Sequence, residues 1–109
     1  MTRTEFADFA EGKLKEVMEL FKQKNQSYGQ DNNTFFNFRS SALRIFGDCT
    51  YESMFKVLIT YMDKHLVALA NKGIHEPEYE SRLKDVIVYS LLAIGLEAEY
   101  QEEKAMENL

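Results

Sequence analysis

Residues 86–96 read VIVYSLLAIGL, a run that is apolar on almost every side of a helix yet far shorter than the roughly 20 residues needed to span a bilayer. A helix of that kind has to be wrapped by other elements, and the rest of the chain supplies amphipathic segments that can do so. Phe6, Ala10, Leu14, Val17, Met18 and Phe21 recur at three- and four-residue spacings, which predicts a first helix over 4–24. A second, over 33–46, carries Phe35, Phe38, Ala42, Leu43 and Phe46 on one side and stops at Gly47. Thr50 suits the N-cap of a third, which carries Phe55, Leu58, Met62, Leu66 and Leu69 as far as residue 72 and ends at Gly73. Pro77 suits the first turn of the last, over 77–103. No segment alternates as a half-buried strand would. The expected fold is therefore all-α, a four-helix bundle-like single domain over 1–109 with the apolar C-terminal helix at its centre.

A chain of 109 residues is long enough for one core and too short for two. The net charge of −5 is unevenly placed, because residues 97–109 hold five glutamates against Lys104. That acidic helical tail leaves the remainder near neutral, so duplex nucleic acid is a poor partner, although a local basic pocket stays open. Cys49 stands alone, which rules out a disulfide framework and a cysteine zinc site and fits a reducing cytoplasm. The opening MTRTEFADFAEGK lacks the apolar core of a signal peptide, and no membrane association is expected.

The stretch KNQSYGQDNNTFFNFR, residues 24–39, is unusual for a connector because it mixes aromatic, amide and cationic side chains. Its NQSYGQDNN portion is expected to break the first helix. Turning each helix by about 100° per residue shows which polar side chains reach the apolar side. Lys24 falls at the edge of the first arc, and Tyr28 would fall near its centre if that helix continued. Arg39 lies inside the second arc; it cannot shed its charge, so burial demands either a carboxylate, for which Asp85 is the candidate, or a bound anion. His65 sits in the third stripe, where the simpler reading is a hydrogen-bonded core histidine. Asp85 shares a side with Arg82, Tyr89, Leu92 and Leu96. Glu5, Glu11, Glu16 and Glu19 read most simply as a solvated face, and the aromatic residues as core.

In YGQDNNTFFNFR, DKHLVAL and ESRLKDVIVYSLL the chain resembles the small, largely phage-encoded helical family called nucleotide modification associated domain 1. That family is similar in turn to the MazG-like all-α nucleoside triphosphate pyrophosphohydrolases. The likeness covers about residues 20–96 and rests on the order of Lys24, Tyr28-Gly29, Asn37-Phe38-Arg39, Asp63-Lys64, Glu80, Asp85 and Tyr89. It implies a nucleotide or nucleotide-derived ligand in a phage setting, within the host cytoplasm, with a ligand set of Lys24, Tyr28, Asn37, Arg39, Lys64, His65, Asp85 and Tyr89. Lys24 and Arg39 would meet phosphate, Tyr28 or a nearby phenylalanine would stack on a base, and Asn37 would read a base edge or a ribose hydroxyl. Asn37 and Lys64 point away from their own apolar arcs. A site shared between two copies reconciles both facts, so a homodimer or higher homo-oligomer is expected.

Two functions fit the resemblance, and a third fits the charge. The first is capture of a nucleotide, for example one used as a host defence signal. The second is Mg²⁺-dependent pyrophosphohydrolysis with Glu16, Glu19, Asp63 and Asp85 as metal ligands. Glu16 and Glu19 have the spacing that activity needs, whereas Arg82 stands three before Asp85 where a glutamate is wanted, and Glu80 lies about 140° from Asp85 around the helix. The third is an inhibitor that binds a host protein through the acidic tail.

Overall fold

The computed structural model describes residues 1–28 and 33–109, with side chains described outside 24–32. Among the described residues four α-helices and one 3₁₀ turn account for the secondary structure: α1 Arg3–Tyr28, α2 Phe36–Phe46, α3 Tyr51–Lys72, the 3₁₀ turn Gly73–His75 and α4 Tyr79–Glu107. The all-α reading holds, and Gly47, Thr50 and Gly73 punctuate it as expected, whereas the end of α1, the start of α2 and both ends of α4 shift by two to four residues.

Local chemistry explains the boundaries. Thr2 and Glu5 form a reciprocal capping box, with the Glu5 amide donating to Thr2 Oγ1 at 3.1 Å and the Thr2 amide to Glu5 Oε2 at 3.3 Å. At its other end α1 runs on to Tyr28, past the break expected after residue 24, because asparagine, glutamine and serine are only mildly unfavourable in a helix. The second helix begins at Phe36, later than expected, since the Asn33 side chain accepts the Phe35 amide and holds a turn ahead of it. Gly47 closes it in the left-handed region at φ 81°, donating its amide to the Leu43 carbonyl. Thr50 caps α3 by accepting the Ser53 amide, and Asp48 accepts both the Ser53 hydroxyl at 2.6 Å and the Thr50 amide. Those bonds hold the Asp48 carboxyl below its ordinary range, the Ser53 hydroxyl contributing most. Gly73 ends α3 at φ 69°. Pro77 lies in the turn before α4 rather than in its first helical turn.

Packing centres on α3, which lies against α2 and α4, whereas α1 runs alongside α4. The core joins Phe35, Phe38, Ala42, Met54, Val57, Leu58 and Leu96. Met54 and Leu58 are fully buried, each worth about 1.5–3 kcal/mol of transfer free energy. Val17 and Val88 are also buried, on α1 and α4. At the rim of that contact Lys84 reaches Glu16 at 2.8 Å and Glu80 at 3.0 Å, while Lys13 reaches Glu80 at 3.0 Å. The pairings of 13 with 80 and 16 with 84 show that α1 and α4 run parallel.

Two expectations about α4 change. It packs against α3 and α1 and reaches α2 through Arg39 and Glu99, while α3 holds the centre, and its apolar surface is covered on one side only: Val88 and Leu96 are buried while Ile87, Leu91 and Ile94 stay exposed. The acidic tail is also not a wholly exposed helical end. Glu99 and Tyr100 pack on α3, where Tyr51 donates to Glu99 Oε2 at 3.1 Å and meets the Tyr100 ring edge-on at 5.6 Å.

Candidate functional site

Asp85, Val88, Tyr89 and Leu92 of α4 form one wall of a cavity of about 540 Å³. Tyr61 and Lys64 of α3 form the second wall, Asn37, Phe38, Ser40 and Ser41 of α2 the third, and Phe21 of α1 with Thr34 closes it. The composition is that of a small-molecule site, with aromatic surface and a few convergent polar groups. The aromatic rings are ordered among themselves: Tyr61 lies 6.0 Å from Phe38 and 6.3 Å from Tyr89, centroid to centroid.

Beside the cavity a chain of polar groups leads toward the turn between α3 and α4. Asp85 Oδ2 stands 3.5 Å from His65 Nε2, and His65 Nδ1 stands 3.3 Å from Arg82 Nη1. Arginine can only donate, so Nδ1 is the acceptor and the imidazole proton sits on Nε2, directed at Asp85. Arg82 in turn reaches Glu78 at 3.1 Å and the buried Glu76 at 3.5 Å. An always-charged guanidinium between two carboxylates and a neutral imidazole fixes the orientation of His65, and His65 then helps orient the carboxylate on the cavity wall.

The predicted ligand residues divide in three ways. Asn37, Lys64, Asp85 and Tyr89 line the cavity, and His65 lies directly behind it, with its ring 6.1 Å from that of Tyr89. Lys24 and Tyr28 lie outside the described side chains. Arg39 is not in the lining; its guanidinium meets Glu99 at 3.1 Å on the far part of α4. The ion pair expected between the second and last helices therefore forms with Glu99 in place of Asp85. The two acids are 14 residues apart, about four helical turns, so they share a face and differ only in height. Asn37 and Lys64, expected to face a second copy, instead meet within one chain, because the α2 and α3 surfaces that lie outside each helix's own apolar arc converge on the cavity.

The proposed magnesium ligands are not gathered. Glu16, Glu19 and Asp85 border a second, shallower depression of about 610 Å³, of which Asp63 is not a part. Among the described residues no three His, Cys, Asp or Glu side chains come together in a way that could hold a metal ion. Glu16 is engaged instead by Lys84 and Lys13, which hold its carboxyl below the ordinary range, Lys84 contributing most. Sequence reasoning missed Tyr61, Ser40, Ser41 and the Glu76–Arg82 support. Arg82 sharing a side with Asp85 was the available signal for the last of these.

No protein family, curated protein or solved structure matches this chain. Among the described residues no helix is long and apolar enough to cross a membrane.

Proposed function

We propose that the chain is a receptor for a nucleotide or nucleotide-derived small molecule, held in the cavity between α2, α3 and α4. The observation that carries this reading is the convergence of Asn37, Lys64 and Asp85 with the rings of Phe38, Tyr61 and Tyr89 around one space of nucleotide size. A base can lie against the tyrosines, its amino or imino hydrogens donating to Asp85 and its edge pairing with Asn37. Lys64 supplies a point charge for a phosphoryl oxygen. Among the described lining residues Lys64 and Asp85 are the formal charges, and they cancel. The site therefore suits a nucleoside or a monoester better than a triphosphate. Capture of such a molecule would serve a phage that has to remove a nucleotide signal, in keeping with the family likeness.

Isothermal titration against nucleosides and mono-, di-, tri- and cyclic nucleotides tests the proposal. Binding is expected to favour the lightly charged members and to weaken by roughly tenfold in Lys64→Ala, the loss of one charge-assisted hydrogen bond. Silence across the whole panel would discard it.

A Mg²⁺-dependent pyrophosphohydrolase is the second reading, favoured by the placing of Glu16, Glu19 and Asp85 around the adjoining depression. A metal there would first have to displace Lys84 and Lys13 from Glu16. Incubation with Mg²⁺ and the nucleoside triphosphates decides it: absence of pyrophosphate release ends that reading while leaving capture standing.

A further inference from the structure

The apolar side of α4 that faces away from the core is arranged as a stripe. Tyr79, Leu83, Ile87, Leu91 and Ile94 are all exposed, and at about 100° per residue they fall within an arc of roughly 120°. On α3, Phe55, Ile59 and Leu66 are exposed within an arc of roughly 40°. The two helices run antiparallel, and both stripes lie on the side of their contact away from α2 and the cavity, with α1 at the edge of the α4 stripe where Lys13 meets Glu80. They make one continuous apolar face on the outside of the α3–α4 hairpin, away from the cavity. The exposed apolar residues of α1, Phe6, Phe9, Leu14 and Met18, spread over about 180° and form no such face.

The polar groups within the α4 arc do not oppose burial. Ser90 donates its hydroxyl to the Val86 carbonyl at 2.8 Å, so it needs no water, and Glu80 at the edge is held by Lys13 and Lys84. The exposed surface of the chain as a whole is larger than a closed monomer needs. The chain exposes 8103 Å², whereas a folded monomer of its mass exposes about 6,200 Å². The excess of about 1,900 Å² is spread over the whole chain, and it leaves room for the roughly 800 Å² that each partner contributes to a standard interface. The radius of gyration agrees, at 16.4 Å against about 13 Å for a closed domain of this length.

We propose that a second copy of this chain docks on the outer α3–α4 face through a two-fold axis. Two-fold pairing sets each hairpin against its twin, so that four helices enclose the two stripes and α4 gains the cover on its second side that its sequence calls for. The stripe itself carries no net repulsion, and a copy of the chain is present wherever the chain is made. The proposal is independent of the nucleotide reading, since the cavity lies on the opposite side of the hairpin.

Sedimentation equilibrium or light scattering of the full chain at micromolar concentration tests it, with a mass twice 12.7 kDa expected. Ile94→Lys is expected to halve that mass, because Ile94 is 67% exposed and its replacement costs the single chain little. Ser90→Glu should act in the same direction, and circular dichroism confirms that each variant stays helical; one folded monomeric variant suffices. Val67→Lys, on a different side of α3, should leave the mass doubled. A wild-type monomer, folded stripe variants that remain dimeric, or dissociation by Val67→Lys would each overturn the proposal. Loss of the dimer with nucleotide binding intact would separate this face from the cavity.

Discussion

Two polar clusters lie along α4, about four turns apart on one face, and they have been put to different uses. Near its start Asp85, His65, Arg82 and Glu76 form a chain whose outer end opens on the cavity. Nearer its end Glu99 takes both Arg39 Nη2 and the Tyr51 hydroxyl at 3.1 Å, and it is not part of the cavity lining. Both place charge against apolar surface, and in both the charge is met from inside the chain. What separates them is the space beside the carboxylate: Asp85 borders the cavity, whereas Glu99 joins α2 and α3 to α4. A charge at an apolar position is thus a weak sign of binding until the room next to it is known.

The largest expected effect tests the buried end of the first cluster. Arg82→Ala leaves Glu76, whose side chain is 3% exposed, without its cation, and should cost about 3–5 kcal/mol in denaturant unfolding. A loss under about 1 kcal/mol would mean that the chain of groups is dispensable to the fold. Next comes the ligand side: Asp85→Asn should weaken nucleotide binding by about 1.5–3 kcal/mol, read by titration calorimetry, because a carboxylate acceptor becomes a neutral amide. Unchanged affinity there would remove the functional difference between the clusters.

Arg39→Ala sharpens the contrast from the other side. With both partners about a third exposed, it should cost only about 1–2 kcal/mol of stability and leave ligand affinity alone. Abolished binding in a folded Arg39→Ala protein would return the guanidinium to the site. The smallest effect concerns Tyr51, whose hydroxyl is pushed well above its ordinary pKa, by burial first and then by the Glu103 and Glu99 carboxylates. A raised folded-state pKa means that the folded chain keeps the proton longer. Stability is therefore full below about pH 10, where the unfolded phenol ionises, and declines as pH rises beyond it. Tyr51→Phe should flatten that alkaline decline in unfolding curves taken from pH 9 upward; an unchanged slope would place its origin elsewhere.

The helix type and three of the helix ends were the most legible part of the chain, because they depend on neighbours within a few residues. Gly47, Thr50 and Gly73 act where their chemistry says they should. The Thr2–Glu5 capping box is equally local, yet the apolar spacing alone had placed the first helix. Of the candidate site, Asn37, Lys64, Asp85 and Tyr89 meet, yet the reasoning from Arg39 pointed to the wrong acid. A helical wheel fixes the angle of a side chain and is blind to its height, so Asp85 and Glu99 were equivalent candidates until α2 was set against α4.

The sequence alone determined that this chain is built of helices, that Gly47, Thr50 and Gly73 punctuate them and that one is apolar nearly all round, since periodicity and capping act over short range. The tertiary structure decided which acid meets Arg39, that Asn37 and Lys64 face one cavity, and that α4 is left half uncovered. Those outcomes depend on how far each helix slides along its neighbour before side chains interlock, a quantity set by packing among residues distant in sequence.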